Sequence, residues 1–315
     1  MNSPVFSSLL PVVLLIAAGY LAGRRQWVGA HAIKDLSNLI FLLLAPALLF
    51  RSMSKVHFEQ LSFTPVAAYF IGAGIIFVGM LAWLGLNRRA AVLAIASTFS
   101  NTVIIGVALV DLAYGPPGLV VLLTLVSLHS LILITSATVL IELMVAREHA
   151  ASNSAPSQHM LRTVGRALRN SILHPVPLPI IAGLLYAQTG WGLPAVIDKP
   201  LLLLGQAFSP VALVLVGITL ALTPVGTHLR GAFAMAVVKN VVHPLLVVGT
   251  GWLLGVRGLP LTVMVVAAAM PIGANAFLFS QRYKVAEELV TASVVVSTVL
   301  ALLTLSAAMA LAGRF

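Results

Sequence analysis

The chain has 315 residues, of which 60% are hydrophobic and 8% charged, with a formal net charge of +10 and no cysteine. Soluble domains carry about 25% charged residues, so this composition excludes a water-soluble fold, and a mean hydropathy of +1.07 points to an integral membrane protein. The missing cysteines exclude disulfides and thiolate metal sites.

A helix needs about 20 apolar residues to cross a ~30 Å hydrocarbon core. Ten such runs are present, at 4–23, 32–51, 62–86, 90–112, 117–146, 171–188, 198–222, 231–256, 259–281 and 287–312. They are continuous apolar blocks, which predicts helices and not the alternating strands of a barrel. Span 1 follows "MNSP", which has no Lys or Arg, and precedes Arg24 and Arg25. That order is the reverse of a cleaved signal, so span 1 reads as a retained helix with its N-terminus outside. The connections after the odd-numbered spans hold 12 Lys and Arg residues against 5 on the other side, with Lys239 set aside inside a span. The excess marks the cytoplasmic face and places both termini outside. This topological bias accounts for most of the net charge, and no nucleic-acid partner is implied.

Span 2 carries Asp35 near its start and Pro46 inside it, and span 7 carries Asp198 and Pro210 in comparable places. The acids suit the positive end of a helix dipole and read as structural; the prolines are expected to kink the helices. Span 4 holds "STFSNTVIIG" (97–106), an uncharged setting crowded with Ser97, Thr98, Ser100, Asn101 and Thr102. Asp111, near its outer end, reads as a cap or gate. His129 lies mid-span 5, either as a buried hydrogen-bond donor or as a relay. Residues 147–170 form the only long polar stretch. They read as a cytoplasmic linker, with a short surface helix around Leu161–Leu168. Span 8 holds Lys239 about 13 Å past Arg230, at 1.5 Å per residue, with His243 one turn on and on the same face. Lys239 is either a cationic site for a carboxylate or a clamp on backbone carbonyls. Span 9 is interrupted by "MPIGANAFLFSQRY" (270–283), and in span 10 Ser293, Ser297 and Thr298 allow close packing.

The linker divides the chain into repeat 1 (1–146, spans 1–5) and repeat 2 (171–315, spans 6–10). At a constant offset of 164, Pro11, Val12, Leu14, Ile16, Ala18, Gly19, Leu21 and Trp27 meet identical residues from Pro175 to Trp191. Trp83 pairs with Trp252, and Asn101 with Asn275, at slightly larger offsets. Five spans per repeat make the second repeat enter from the opposite side, so the two are inverted. Inverted repeats with interrupted spans at matching positions mark the midplane site of an alternating-access transporter. Irregular backbone at that depth must be buried or line a watery cavity. Pro271 and Gly273 break the helix. Asn101 and Asn275 are able to bond the freed backbone and a ligand, or else to glue helices together. The candidate substrate-binding residues are Asn101, Asn275, Lys239, His243, Thr102, Ser100 and His129; no cofactor or metal is expected.

"LSNLIFLLLAPALLFRSMSK", "SNTVIIGVAL", "KNVVHPLL" and "MPIGANAFLFSQRYKVAEELVTASVVVSTVLALLTLS" resemble the auxin efflux carrier family in its compact bacterial form, over nearly the whole chain. The resemblance implies an all-α integral membrane protein of ten transmembrane helices. They would form two inverted five-helix repeats with crossed, broken helices 4 and 9, a sodium/proton-antiporter-like or bile-acid-transporter-like fold. It also implies a scaffold of spans 1, 2, 6 and 7, a mobile transport unit of spans 3–5 and 8–10, and crossover asparagines at Asn101 and Asn275. Bacterial members are associated with small carboxylates such as malonate or malate, which would place this chain in the inner membrane, multi-pass, with a homodimer expected. The reading is a secondary transporter of a small organic anion, a carboxylate or dicarboxylate such as malonate or malate or an auxin-like acid, coupled to a proton or sodium or to neither. A cation/proton antiporter of the same architecture and a non-transporting receptor are the alternatives. The antiporter would need midplane carboxylates, and all eight Asp and Glu residues lie at or near span ends. No H-E-x-x-H, G-x-S-x-G or Walker sequence is present, which argues against an enzyme and against direct ATP drive.

Overall fold

The computed structural model describes residues 4–151, 169, 176–223, 226 and 228–312, and these are almost entirely helical. In chain order the helices are α1 (Pro4–Arg24), α2 (Ala30–Met53), α3 (Thr64–Leu84), α4 (Arg88–Thr98), α5 (Ala108–Ala151), α6 (Pro177–Ala187), α7 (Ala195–Leu222), α8 (Leu229–Leu253), α9 (Gly258–Ala269), α10 (Ala274–Tyr283) and α11 (Glu287–Ala312). Over the described residues, each of the ten expected spans contains helix, with spans 4 and 9 interrupted. By length and apolar composition six described segments qualify as membrane-crossing: α2, α3, Thr102–Ile141, α7, α8 and Glu287–Leu311.

The helix interruptions have local causes. α5 is two limbs joined by a kink at Gly115, whose φ of 61° and ψ of −159° are not helical. Pro116 and Pro117 then open the second limb, where their missing N–H groups cost nothing. α2 widens to a π-turn at Ile40–Leu44, just before Pro46. α8 does the same at Val238–Val242, just before Pro244. A wider turn relieves the clash of a proline ring with the preceding turn. The kink expected at Pro46 therefore has a π-turn as its form. α7, in contrast, runs through Pro210 as one helix.

Glycines set how closely the helices approach. A Cβ on Gly19 of α1 would overlap the carbonyl of Val214 in α7, and one on Gly217 would overlap Ile16 and Gly19. On the other side of the bundle, a Cβ on Gly183 of α6 would overlap the carbonyl of Phe50 and crowd Met53 in α2. These seams bring backbone against backbone. α2 and α7 are also tied by Arg51, which donates from Nε to Asp198 Oδ1 (2.8 Å) and from an η-nitrogen to Oδ2 (3.0 Å), with Lys55 Nζ 3.7 Å away.

Two expectations change in detail. Asp198 does sit in the first turn of α7, but Asp35 lies beyond the first turn of α2, which begins at Ala30. α5 carries helix through Ala151, so the stretch expected to be linker starts as helix. The helix expected at Leu161–Leu168 lies outside the described residues.

Candidate functional site

Spans 4 and 9 each break near their middle. α4 ends at Thr98, and the chain runs through Phe99, Ser100 and Asn101 before helix resumes with a π-turn at Thr102–Val107. α9 ends at Ala269, and the chain runs through Met270 to Gly273 before α10 starts. The two breaks lie antiparallel against each other. Asn101 N–H donates to Pro271 O (2.9 Å) and Gly273 N–H donates to Phe99 O (2.9 Å), flanking a bridge between Ser100 and Ile272. Each break thereby satisfies backbone groups that its own helix has abandoned, as buried peptide groups require.

Local chemistry shapes both turns. Asn101 adopts φ −76° and ψ 58°, and Thr102 N–H reaches back to Ser100 O (2.8 Å), which is an inverse γ-turn. This turn opens span 4 without a proline. Pro271 has no N–H to give, so its carbonyl alone joins the pairing. A Cβ on Gly273 would crowd the Phe99 ring at 2.8 Å and Ser100 O at 3.0 Å, so glycine suits the close approach there. Ile272 N–H is held from α11 by Ser297 Oγ (3.1 Å), and Asn240 Nδ2 donates to Ser297 O (2.7 Å). Ser297 thus acts by direct bonding as well as by its small size.

The bridge fixes which residues correspond across the crossing. Ser100 faces Ile272, Phe99 matches Pro271, and Asn101 matches Gly273; both members of the last pair cap the helix that follows. Asn275 lies two residues beyond Gly273, in the first turn of α10. The two asparagines therefore sit at one crossing but not at equivalent positions. Both are half-buried, and among the described residues neither amide side chain has a hydrogen-bond partner.

Behind the breaks lies a buried polar group. Lys239 is fully buried, and its Nζ donates to Ala268 O (2.5 Å) and Met270 O (2.8 Å), the carbonyl end of α9. Of its two expected partners, it has the backbone carbonyls. The π-turn lets Lys239 and its neighbour Asn240 both turn inward. Tyr69 of α3, also fully buried, joins Ser100 Oγ (2.7 Å), His129 Nε2 (3.0 Å) and Thr98 O (3.5 Å). The His243 ring lies 4.9 Å from that of Tyr69, tilted by 57°, and among the described residues neither of its nitrogens has a partner. Phe99 closes over His129 at 4.4 Å between ring centroids. The described ion pairs all lie elsewhere, so no carboxylate balances this group.

A profile of the family described as "Membrane transport protein" matches residues 4–309. The chain belongs to this family. Its relatives include the "Putative malonate transporter" of Rhizobium meliloti (strain 1021), 26% identical over 306 residues, covering 95% of this chain and 92% of the relative. The "Uncharacterized transporter YfdV" of Escherichia coli (strain K12) is 24% identical over 301 residues, covering 92% and 91%. "Auxin efflux carrier component 8" of Arabidopsis thaliana is 25% identical over 245 residues, covering 65% and 66%. The protein is thus a multi-pass member of a transporter family and not an enzyme.

Within this transporter, all the residues picked from the sequence lie at or behind one crossing. Asn101 and Asn275 are accessible; Ser100, Thr102, His129, Lys239 and His243 are buried. Tyr69 was missed, although a lone phenol inside the apolar span 3 is the signal that marks it. No cluster of three metal-ligating side chains exists among the described residues.

Proposed function

We propose that the protein is a secondary transporter that moves a small organic anion, a mono- or dicarboxylate, by alternating access. The anion sits at the paired breaks. The observation that carries this reading is the pair of unpartnered amides, Asn101 and Asn275, each at the N-terminal end of a half-helix. Such ends present free N–H groups and about half a positive charge to an anion. Asn101 and Asn275 supply direct contacts. Ser100 and Thr102 shape the floor, and Pro271 and Gly273 hold the break open. Lys239 gives the site a positive field from behind, with the His129 and His243 rings beside it. The carboxylate names among the relatives support the substrate class, and the lack of a balancing carboxylate here speaks against a cation as cargo.

Ten spans in two inverted repeats supply the mechanism. The contacts themselves support that arrangement: the pairs Gly19–Val214 and Gly183–Phe50 exchange under the offset of 164, as do Gly19–Gly217 and Gly183–Met53. A contact that recurs with its partners swapped is the mark of a two-fold relation. Spans 1, 2, 6 and 7 are the scaffold, locked by these glycine seams, and spans 3–5 and 8–10 are the moving unit around the crossing. The chain lies in the bacterial inner membrane with both termini outside, as a homodimer.

Uptake of labelled mono- and dicarboxylates into proteoliposomes, with and without imposed proton and sodium gradients, tests the proposal. Saturable uptake of a carboxylate is expected. Uptake of a cation with none of any carboxylate would refute it, and binding without flux would make the protein a receptor.

A further inference from the structure

The two half-helices that end at the crossing are finished differently. Thr98 and Met270 are equivalent, each two residues before its member of the Ser100–Ile272 bridge. Each offers a carbonyl from a helix C-terminus, where about half a negative charge accumulates. Met270 O receives a hydrogen bond from the Lys239 Nζ (2.8 Å). Among the described residues, Thr98 O receives the Tyr69 hydroxyl (3.5 Å) and no cation. Behind that hydroxyl stand two imidazoles, His129 at 3.0 Å and His243 against the ring, the latter buried with both nitrogens unpartnered. A buried polar group without a partner is costly, and an unpaired imidazole nitrogen is a place for a proton.

We propose that His129 and His243, joined through Tyr69, form a proton-binding site that charges when the anion occupies the paired breaks. The inference rests on the anion reading above. With no carboxylate nearby, an imidazolium here lacks a counter-charge until the anion arrives and provides one. The proton comes from the water that admits the anion and adds to an imidazole nitrogen; it leaves when the anion leaves. Tyr69 permits the change without moving heavy atoms. Its hydroxyl donates to Nε2 of a neutral His129, or accepts from Nε2–H and turns its own proton to Ser100 Oγ or Thr98 O. The ionisable groups facing the pair are Tyr69 from α3 and Lys239 from α8; α9 has none along its length, and the only ones on α4 are Arg88 and Arg89 at its far end. The arrangement makes the cargo and the proton mutually dependent, as any two linked ligands are.

The test is calorimetry on the purified full chain with malonate as the probe, at about pH 7 in two buffers of different protonation heat. Wild type should take up about one proton per malonate. Its Kd should then weaken about tenfold per pH unit between about pH 6.5 and 8.5, where both malonate carboxylates are ionised. His129→Gln, which keeps a polar atom toward Tyr69, and His243→Asn should each flatten that slope and reduce the proton count. Malonate binding with no proton uptake and a flat profile overturns the proton site alone. A wild-type slope in both variants also overturns it. No heat from malonate or any other carboxylate overturns the anion reading and this inference with it.

Discussion

Lys239→Met isolates what the buried lysine does for the crossing. Methionine has a similar length and no charge, so packing around α8 changes little. What disappears is a pair of charge-assisted bonds to Ala268 O and Met270 O. Two carbonyls are left buried beside Pro271, and each unpaired buried acceptor costs about 1–3 kcal/mol. The total is about 2–6 kcal/mol, before any gain from no longer burying an ammonium. At about 2 °C per kcal/mol for a chain of this size, the unfolding midpoint should fall by about 4–12 °C. Tryptophan fluorescence during heating of the detergent-purified protein reads this directly. A midpoint within about 1 °C of wild type would refute the clamp, because it would mean that the carbonyls find other partners at no cost.

Asn101→Ala and Asn275→Ala should each weaken carboxylate binding by roughly 10- to 150-fold, the loss of one bond to a charged group. The double variant should lose less than the product of the two, because the residues share a ligand; unchanged affinity in both single variants would place the site elsewhere. Gly19→Ala and Gly183→Ala each push a methyl into a facing carbonyl and should destabilise by about 1–3 kcal/mol, seen as lower melting points. A larger side chain accepted at either position would mean that the seams are looser than drawn. Cysteines introduced at Ser3 and Ser154 of this cysteine-free chain should react with impermeant reagents from opposite sides of the membrane.

Much of the fold was legible because membrane helices announce themselves by length and apolarity alone. The interruption at Pro271 and Gly273 was legible for the same kind of reason: both residues restrict or release the backbone on their own. The polarity of "STFSNTVIIG" marked the other break, but its form, an inverse γ-turn at Asn101, depends on a partner strand 170 residues away and leaves no local trace. The correspondence of Asn101 with Gly273 was hidden for a related reason. Aligning the two asparagines by residue type is plausible in one dimension, while the hydrogen-bond register that decides the matter exists only in three. The π-turns were invisible as such, since a proline signals disruption but not how the chain absorbs it. Lys239 is fully buried within span 8, and the carbonyls it bonds depend on where α9 ends, which its own sequence does not reveal.

The crossing is held by peptide groups. Its two defining bonds run from main-chain N–H to main-chain oxygen, so the side chains of Ser100, Asn101 and Ile272 are not what keeps the breaks together. A position free of structural duty tolerates replacement. Under the proposed function, exchanging residues at 101 or 275 would retune what is carried and still inherit the same framework, in the way that a lock is re-keyed without replacing the door.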